Sequence, residues 1–196
     1  MNAPVFAAVV DDFVSDPSLV ERLVQVCAKH QELKETKDAS FNWLHAFGHR
    51  SLHAQGEREA METFVFQYLR PYVWPQFVRQ YQGFEWWANH QNTLGWHVDK
   101  DEGVFQATGT YVLPELSCVY YPRTQCEGGE LQIDGHEPIR SNTQVGPQPN
   151  GVRDRIAPAS NRLVIFSPGR LHRIKKFSGQ RISIACNVWN TRPSHD

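Results

Sequence analysis

Between residues 83 and 190 the chain is a succession of short β-type runs with no helical pattern between them. Nothing else in the sequence restricts its fold as much. The runs are 84–89, 95–99, 108–113, 117–121, 130–133, 162–166 and 181–189, punctuated by Gly, Pro and Asn. Parallel strands need a long crossover, usually a helix, so strands without one pair antiparallel. The expected core is therefore an antiparallel barrel or jelly roll.

The first 82 residues read differently. After a β run at 5–10, Asp16-Pro17 is a helix start, with Asp as N-cap and Pro in the first turn. Leu19, Val20, Leu23, Val24 and Cys27 then recur on one helical face. Ala60, Phe64, Val65, Tyr68 and Leu69 make a second stripe, ending near Pro71. The segment 34–55 has no readable pattern, and 134–160, rich in Pro, Asn, Gln and Gly, reads as a long loop. The 196 residues are expected to form one domain, with mostly helical support over 1–82 and a β core over 83–190. The fold class is mainly β with N-terminal helices.

Composition narrows the partners. Lys and Arg number 20 against 21 Asp and Glu, for a net charge of -1, which argues against nucleic acid and anionic membranes. No apolar run reaches the length of a membrane span, and the N-terminus lacks the basic residues of a secretory signal. Cys27, Cys118, Cys126 and Cys186 are scattered and read as free thiols of a reducing, cytoplasmic setting.

The last run carries the first chemical hint. Ile182, Ile184, Cys186 and Val188 share one face of a strand, while Arg181, Ser183, Ala185 and Asn187 share the other. If the apolar face packs on the helices, the arginine points into the barrel. A buried cation is costly unless an anion meets it. An arginine at a strand end also reaches water.

His97-Val98-Asp99 puts two metal-ligand side chains on one strand face. His172, just after the apolar run 163–166, is the best third ligand. Two imidazoles and a carboxylate on one face of a metal are the donor set of non-haem Fe(II) oxygen chemistry, with positions left open for reactants. Arg181 lies nine residues past His172, and a planar guanidinium beside the Ser183 hydroxyl suits a terminal carboxylate.

Taken in order, Gly95-Trp96-His97-Val98-Asp99, Ser117-Cys118-Val119-Tyr120-Tyr121, Glu127-Gly128-Gly129-Glu130-Leu131, Ser167-Pro168-Gly169 with His172, and Arg181-Ile182-Ser183 resemble a known pattern. It is that of the Fe(II)/2-oxoglutarate-dependent dioxygenases, in their prolyl-hydroxylase-like branch, over roughly residues 84–190. The resemblance implies a double-stranded β-helix, or jelly roll, backed by helices. It implies Fe(II) on His97, Asp99 and His172, with 2-oxoglutarate and O2 as co-substrates and no catalytic side chain beyond the metal ligands. Arg181 and Ser183 are implied to bind the distal carboxylate of 2-oxoglutarate, helped by Tyr121, with Tyr120 as the alternative. Leu131 is implied to line the co-substrate pocket, and Trp87 or Asn89 to touch the co-substrate. Asn187 stands where nucleic-acid demethylases of this class carry a second arginine. Asp99 fills a position that the related halogenases leave small, so hydroxylation is the expected outcome.

The substrate is expected to be a small molecule such as an amino acid, because the chain is short and shows no peptide-binding annex. A protein side chain, for example a prolyl residue, is the alternative. A non-catalytic cupin-like module that holds a metal or ligand is a third reading, but it has no need of an inward arginine. Histone-demethylase-like enzymes usually place a lysine on another strand for the carboxylate.

Other features carry blander readings. His45, His49 and His53 share a helical spacing, but Gly48 interrupts them and no Cys or carboxylate joins, so they read as solvated or packing residues. His90 is a local hydrogen-bond partner or a substrate contact. Trp86, Trp87 and Trp96 are core aromatics or a substrate wall. The eight basic residues against Asp154 in 153–181 are a solvated face or a mouth that attracts dianions.

Overall fold

A computed structural model describes residues 7–35, 42–45, 56–89 and 92–194. His49, His53, His90 and His195 lie outside them. In chain order the elements are β1 (Ala7–Val10), α1 (Pro17–Glu35), β2 (Asn42–His45) and α2 (Glu57–Thr63). A π-helical turn (Phe64–Leu69) leads into α3 (Arg70–Val73), followed by β3 (Gly83–Asn89), β4 (Leu94–His97) and α4 (Glu102–Thr108). The remainder is strand: β5 (Leu116–Gly128), β6 (Leu131–Asp134), β7 (Val152–Ile156), β8 (Arg162–Phe166), β9 (His172–Ile174) and β10 (Phe177–Trp189).

The strands form two antiparallel sheets, ordered β1-β8-β5-β10-β3-β2 and β4-β9-β6-β7. Tyr121, Val164 and Phe166 of the larger sheet pack on Leu131, Ile133, Ile156 and Ile174 of the smaller one, closing the jelly roll. The larger sheet's other face is covered by the helices. Leu19, Leu23, Cys27, Met61, Phe64 and Leu69 meet Phe84, Trp86, Tyr120, Ile184, Cys186 and Val188 there. Period-2 alternation decides which side chain goes where. On β10, Ile184, Cys186 and Val188 are buried against the helices, with Ile182 at their edge, while Arg181, Ser183, Ala185 and Asn187 line the space between the sheets. The face assignment made from the sequence holds.

Asp16 caps α1 as expected: its carboxylate accepts from the Ser18 amide at 2.9 Å, and its carbonyl accepts from Leu19 and Val20. Several elements depart from expectation. The expected strand at 108–113 is instead the end of α4 and a single bridge between Tyr111 and Thr143. Asp101 starts that helix by accepting from the Val104 amide at 3.0 Å, and Gly109, at φ 70°, ends it in the left-handed conformation. The loop 134–160 contains β7, paired to β6. The unassigned 34–55 contains β2, which pairs with β3 and forms an edge of the larger sheet. β1, within the β run expected at 5–10, forms the opposite edge, so residues before 83 supply two strands as well as helices. Among the described residues no helix is long and apolar enough to cross a membrane.

Candidate active site

The metal-ligand candidates are assembled by register. His97, at the end of β4, and His172, at the start of β9, are direct cross-strand partners, with ring centroids 4.1 Å apart. Asp99 sits two residues past the end of β4, not on the strand as expected from the sequence. Val98 holds it there: Val98 is buried with Leu113 and Leu171, so the residues beside Asp99 and His172 share one small apolar cluster. Asp99 Oδ1 lies 3.6 Å from His172 Nε2 and 3.9 Å from His97 Nε2. The three donor atoms fall within 4.8 Å of one another.

The hydrogen bonds behind the rings fix what these atoms are. His97 Nδ1 lies 2.9 Å from the Gly95 carbonyl and His172 Nδ1 3.0 Å from the Arg170 carbonyl. A carbonyl only accepts, so each Nδ1 carries its proton and each Nε2 of the neutral ring presents a lone pair. Burial, and then the neighbouring His97, push the His172 imidazole down to about 4, with Asp99 pulling the other way. His172 is therefore neutral near pH 7. Both Nε2 atoms and the carboxylate converge within 4.8 Å, an arrangement that could hold a metal ion. The donor set fits Fe(II).

The second pole is Arg181, 5% exposed. Its Nε donates to the Gly129 carbonyl at 3.1 Å, one terminal nitrogen to Ser183 Oγ at 3.0 Å and the other to the Tyr121 hydroxyl at 3.1 Å. Three of its five N–H donors are thus spent on aiming the guanidinium. The Tyr121 ring also lies beneath it, 4.8 Å away. Burial pushes the Tyr121 phenol up against the opposing pull of Arg181, so it keeps its proton. Tyr121 and Ser183 accept from the arginine and still have O–H groups to donate. Tyr120 lies on the opposite strand face, in the helix-side core, bonded to Asn161 at 2.8 Å.

The cavity between the two poles is lined by Trp87, Asn89, His97, Asp99, Leu131, His172, Arg181 and Ser183, among others. Leu131 and both candidates for the remaining co-substrate contact, Trp87 and Asn89, are therefore placed at it. The tryptophans divide: Trp86 is in the core, Trp87 lines the cavity, and Trp96 lies under Arg173, 4.5 Å away. The basic run divides too, with Arg170 and Arg181 buried and Arg162 paired to Asp11 at 2.6 Å. Sequence reasoning missed the Val98, Leu113 and Leu171 clamp and the role of the Gly129 carbonyl. The Gly128-Gly129 pair was the available signal for the second.

Gly129 yields a test. It sits at φ +74°, and a Cβ there would come 2.9 Å from Arg181 Cδ. Gly129→Ala is expected to push the guanidinium off its aim as well as strain the turn by about 1–2 kcal/mol. An anaerobic titration should show 2-oxoglutarate bound at least about tenfold more weakly, equivalent to about 1.4 kcal/mol, with metal content unchanged.

Residues 79–189 match the family model of the 2OG-Fe(II) oxygenase superfamily. No curated protein matches the chain. Among solved structures, a Pseudomonas putida prolyl-4-hydroxylase is similar at 15% identity and a TM-score of 0.60, covering 97% of this chain and 95% of its own. A Trichoplax adhaerens prolyl hydroxylase, solved with a hypoxia inducible factor peptide fragment, is similar at 12% identity and a TM-score of 0.55, over 94% of this chain and 83% of its own. A Burkholderia pseudomallei oxidoreductase of the 2OG-Fe(II) oxygenase family shows 12% identity and a TM-score of 0.57, over 96% and 86%. These likenesses establish a shared fold, and the family match spans more than half of the sequence. The chain belongs to the 2OG-Fe(II) oxygenase superfamily and is a dioxygenase dependent on Fe(II), 2-oxoglutarate and O2.

Proposed function

We propose that the protein hydroxylates a small metabolite, such as an amino acid, with conversion of 2-oxoglutarate to succinate and CO2. In this reading His97, Asp99 and His172 hold Fe(II). Arg181, Ser183 and Tyr121 hold the distal carboxylate of 2-oxoglutarate, Leu131 walls its pocket, and Asn89 contacts it. The observation that carries the reading is the pairing of a cation-seeking triad with a buried, aimed guanidinium across one cavity. A metal-only binding module has no use for the second half.

Fe(II) held by His97, Asp99 and His172 would supply the chemistry by which O2 oxidises 2-oxoglutarate and the substrate together. The chain's own residues do the rest. The carbonyls of Gly95 and Arg170 orient both imidazoles so that Nε2 faces the triad and Nδ1 faces the backbone. The guanidinium and two hydroxyls meet one end of the dicarboxylate, so its other end is carried toward the triad. The apolar wall of Leu131 and Ile174 excludes water from that space.

The small-metabolite reading is supported by the outer cavity beside His97 and Asp99. Its volume of about 240 Å³ is below the roughly 300–1,000 Å³ typical of drug-sized ligands. The second reading, hydroxylation of a prolyl side chain in a protein, draws on the likeness to the Pseudomonas putida and Trichoplax adhaerens enzymes. The two are separated by incubating the iron-loaded protein and 2-oxoglutarate with free amino acids in one arm and proline-containing peptides in the other. A free amino acid that gains one oxygen atom in step with succinate release is the expected result. Product from peptides alone would overturn the small-metabolite reading.

Tyr121→Phe removes one hydroxyl from the proposed carboxylate pocket. It should cost about 1.5–3 kcal/mol at most, or roughly ten- to a hundredfold in 2-oxoglutarate affinity. The same anaerobic titration measures it, and Tyr120→Phe should leave the affinity unchanged.

A further inference from the structure

Two of the three proposed metal ligands are fixed by strand register, and the third is not. His97 and His172 face each other across β4 and β9. Asp99 stands past the end of β4, outside any strand, yet its carboxylate is held against the two imidazoles. Val98 anchors the chain on one side of it. On the other side, two residues on, is Asp101.

We infer that the C-terminal segment 190–194 is a strap that acts through Asp101 to position Asp99 and the wall of the outer cavity. This rests on the oxygenase reading above and names the element that completes its metal site.

Four observations carry it. Asp101 is 4% exposed and both of its carboxylate oxygens are in use. Oδ1 accepts from the Val104 amide at 3.0 Å and Oδ2 from the Ser194 amide at 2.8 Å, while its own amide donates to the Val112 carbonyl at 2.8 Å. One buried carboxylate, met by charge-assisted bonds, thus ties the ligand-bearing stretch to α4 and to the C-terminal segment. Secondly, the Ser194 carbonyl accepts from the Gly103 amide at 3.1 Å, and the approach is so close that a Cβ on Gly103 would come 2.0 Å from that oxygen. Thirdly, α4 buries no side chain of its own, so it is held by Asp101 at its start and by the Phe105 ring, whose centroid lies 4.7 Å from that of Tyr111. Lys100 and Glu102, on either side of Asp101, line the outer cavity beside Asp99. Lastly, the strap is itself anchored: Pro193 is buried, and Asn190 donates to Glu115 Oε1 at 2.7 Å. It follows directly on β10, so it joins the strand that carries Arg181 to the stretch that carries Asp99.

The test titrates Mn(II) into the full chain without oxygen and follows the free ion by electron paramagnetic resonance. Three variants strike the junction in different ways. Ser194→Pro removes the amide N–H that meets Asp101. Gly103→Ala pushes the strap away, and Asp101→Asn replaces one acceptor oxygen by a donor. Loss of support behind a metal ligand costs about 10–100-fold in affinity, so each should weaken Mn(II) about tenfold or more. Ser194→Ala keeps the amide and should match wild type. At saturating Mn(II) the 2-oxoglutarate affinity of all three should stay near that of wild type, because Arg181, Ser183 and Tyr121 are untouched. Asp16→Ala removes the cap of α1, on the other face of the larger sheet. It should lower the thermal midpoint and leave Mn(II) affinity as it was. Wild-type Mn(II) affinity in Ser194→Pro and Gly103→Ala would overturn the inference, as would a loss confined to Asp101→Asn. A loss in Asp16→Ala equal to that of strap variants with the same thermal midpoint would also overturn it, since general loosening would then explain the effect. Failure of wild type to bind Mn(II) is a different result and strikes the metal site itself.

Discussion

His172→Ala should leave a folded protein that no longer retains iron. The imidazole is one of three converging donors. Losing even the hydrogen bond behind a metal ligand costs about 10–100-fold in affinity, so losing the ligand should exceed a hundredfold. The fold should survive, because β9 keeps its backbone pairing with β4 and β6, and Phe166 and Leu171 keep their own packing. Metal content after desalting, with circular dichroism alongside, decides the matter. Full iron occupancy in the variant would sink the assignment of the triad.

Arg181→Ala should retain the metal and lose the co-substrate. Removing one member of a buried, charge-assisted pair costs about 2–5 kcal/mol, largely because the partner charge is left unmet. That is a rise of some tens to a few thousandfold in the 2-oxoglutarate dissociation constant. Arg181→Lys should recover only part of it. A lysine has one charged tip, whereas the arginine aims three separate N–H groups at Gly129, Ser183 and Tyr121. Anaerobic titration into the Mn(II) protein measures the effect, and unchanged affinity with metal retained would favour the binding-module alternative.

The parts of this site that were legible in the sequence are those governed by alternation. On β10 the separation of Ile184, Cys186 and Val188 from Arg181 and Ser183 follows from a period of two, and burial of one face made the register certain. The same rule on β5 would have placed Tyr120 with Cys118 on the helix side, and the structure does so. What was not legible depended on partners distant in sequence. β2 and β7 are four- and five-residue strands that bury only one side chain each, Leu44 and Ile156, too few to show an alternating apolar face, and they pair with β3 and β6. β5 and β10 run 13 residues each, well past the expected 117–121 and 181–189. Part of their added lengths, Gln125 to Gly128 against Phe177 to Gln180, pair with each other at the rim, where mostly exposed residues meet water and alternation carries no signal. α4 was hidden because local capping by Asp101 and Gly109 outweighed the β-type residues that follow.

The central claim is that the triad and Arg181 serve one bound molecule from opposite ends. It is tested most directly by adding Fe(II) and then 2-oxoglutarate to the protein without oxygen and recording the visible spectrum. A chelated co-substrate gives a weak metal-to-ligand charge-transfer band. In wild type the band should grow to saturation at one equivalent of each. It should be absent in His172→Ala and require far more 2-oxoglutarate in Arg181→Ala. Wild-type protein that holds iron yet shows no band at saturating 2-oxoglutarate, or a band that persists in His172→Ala, would contradict the account.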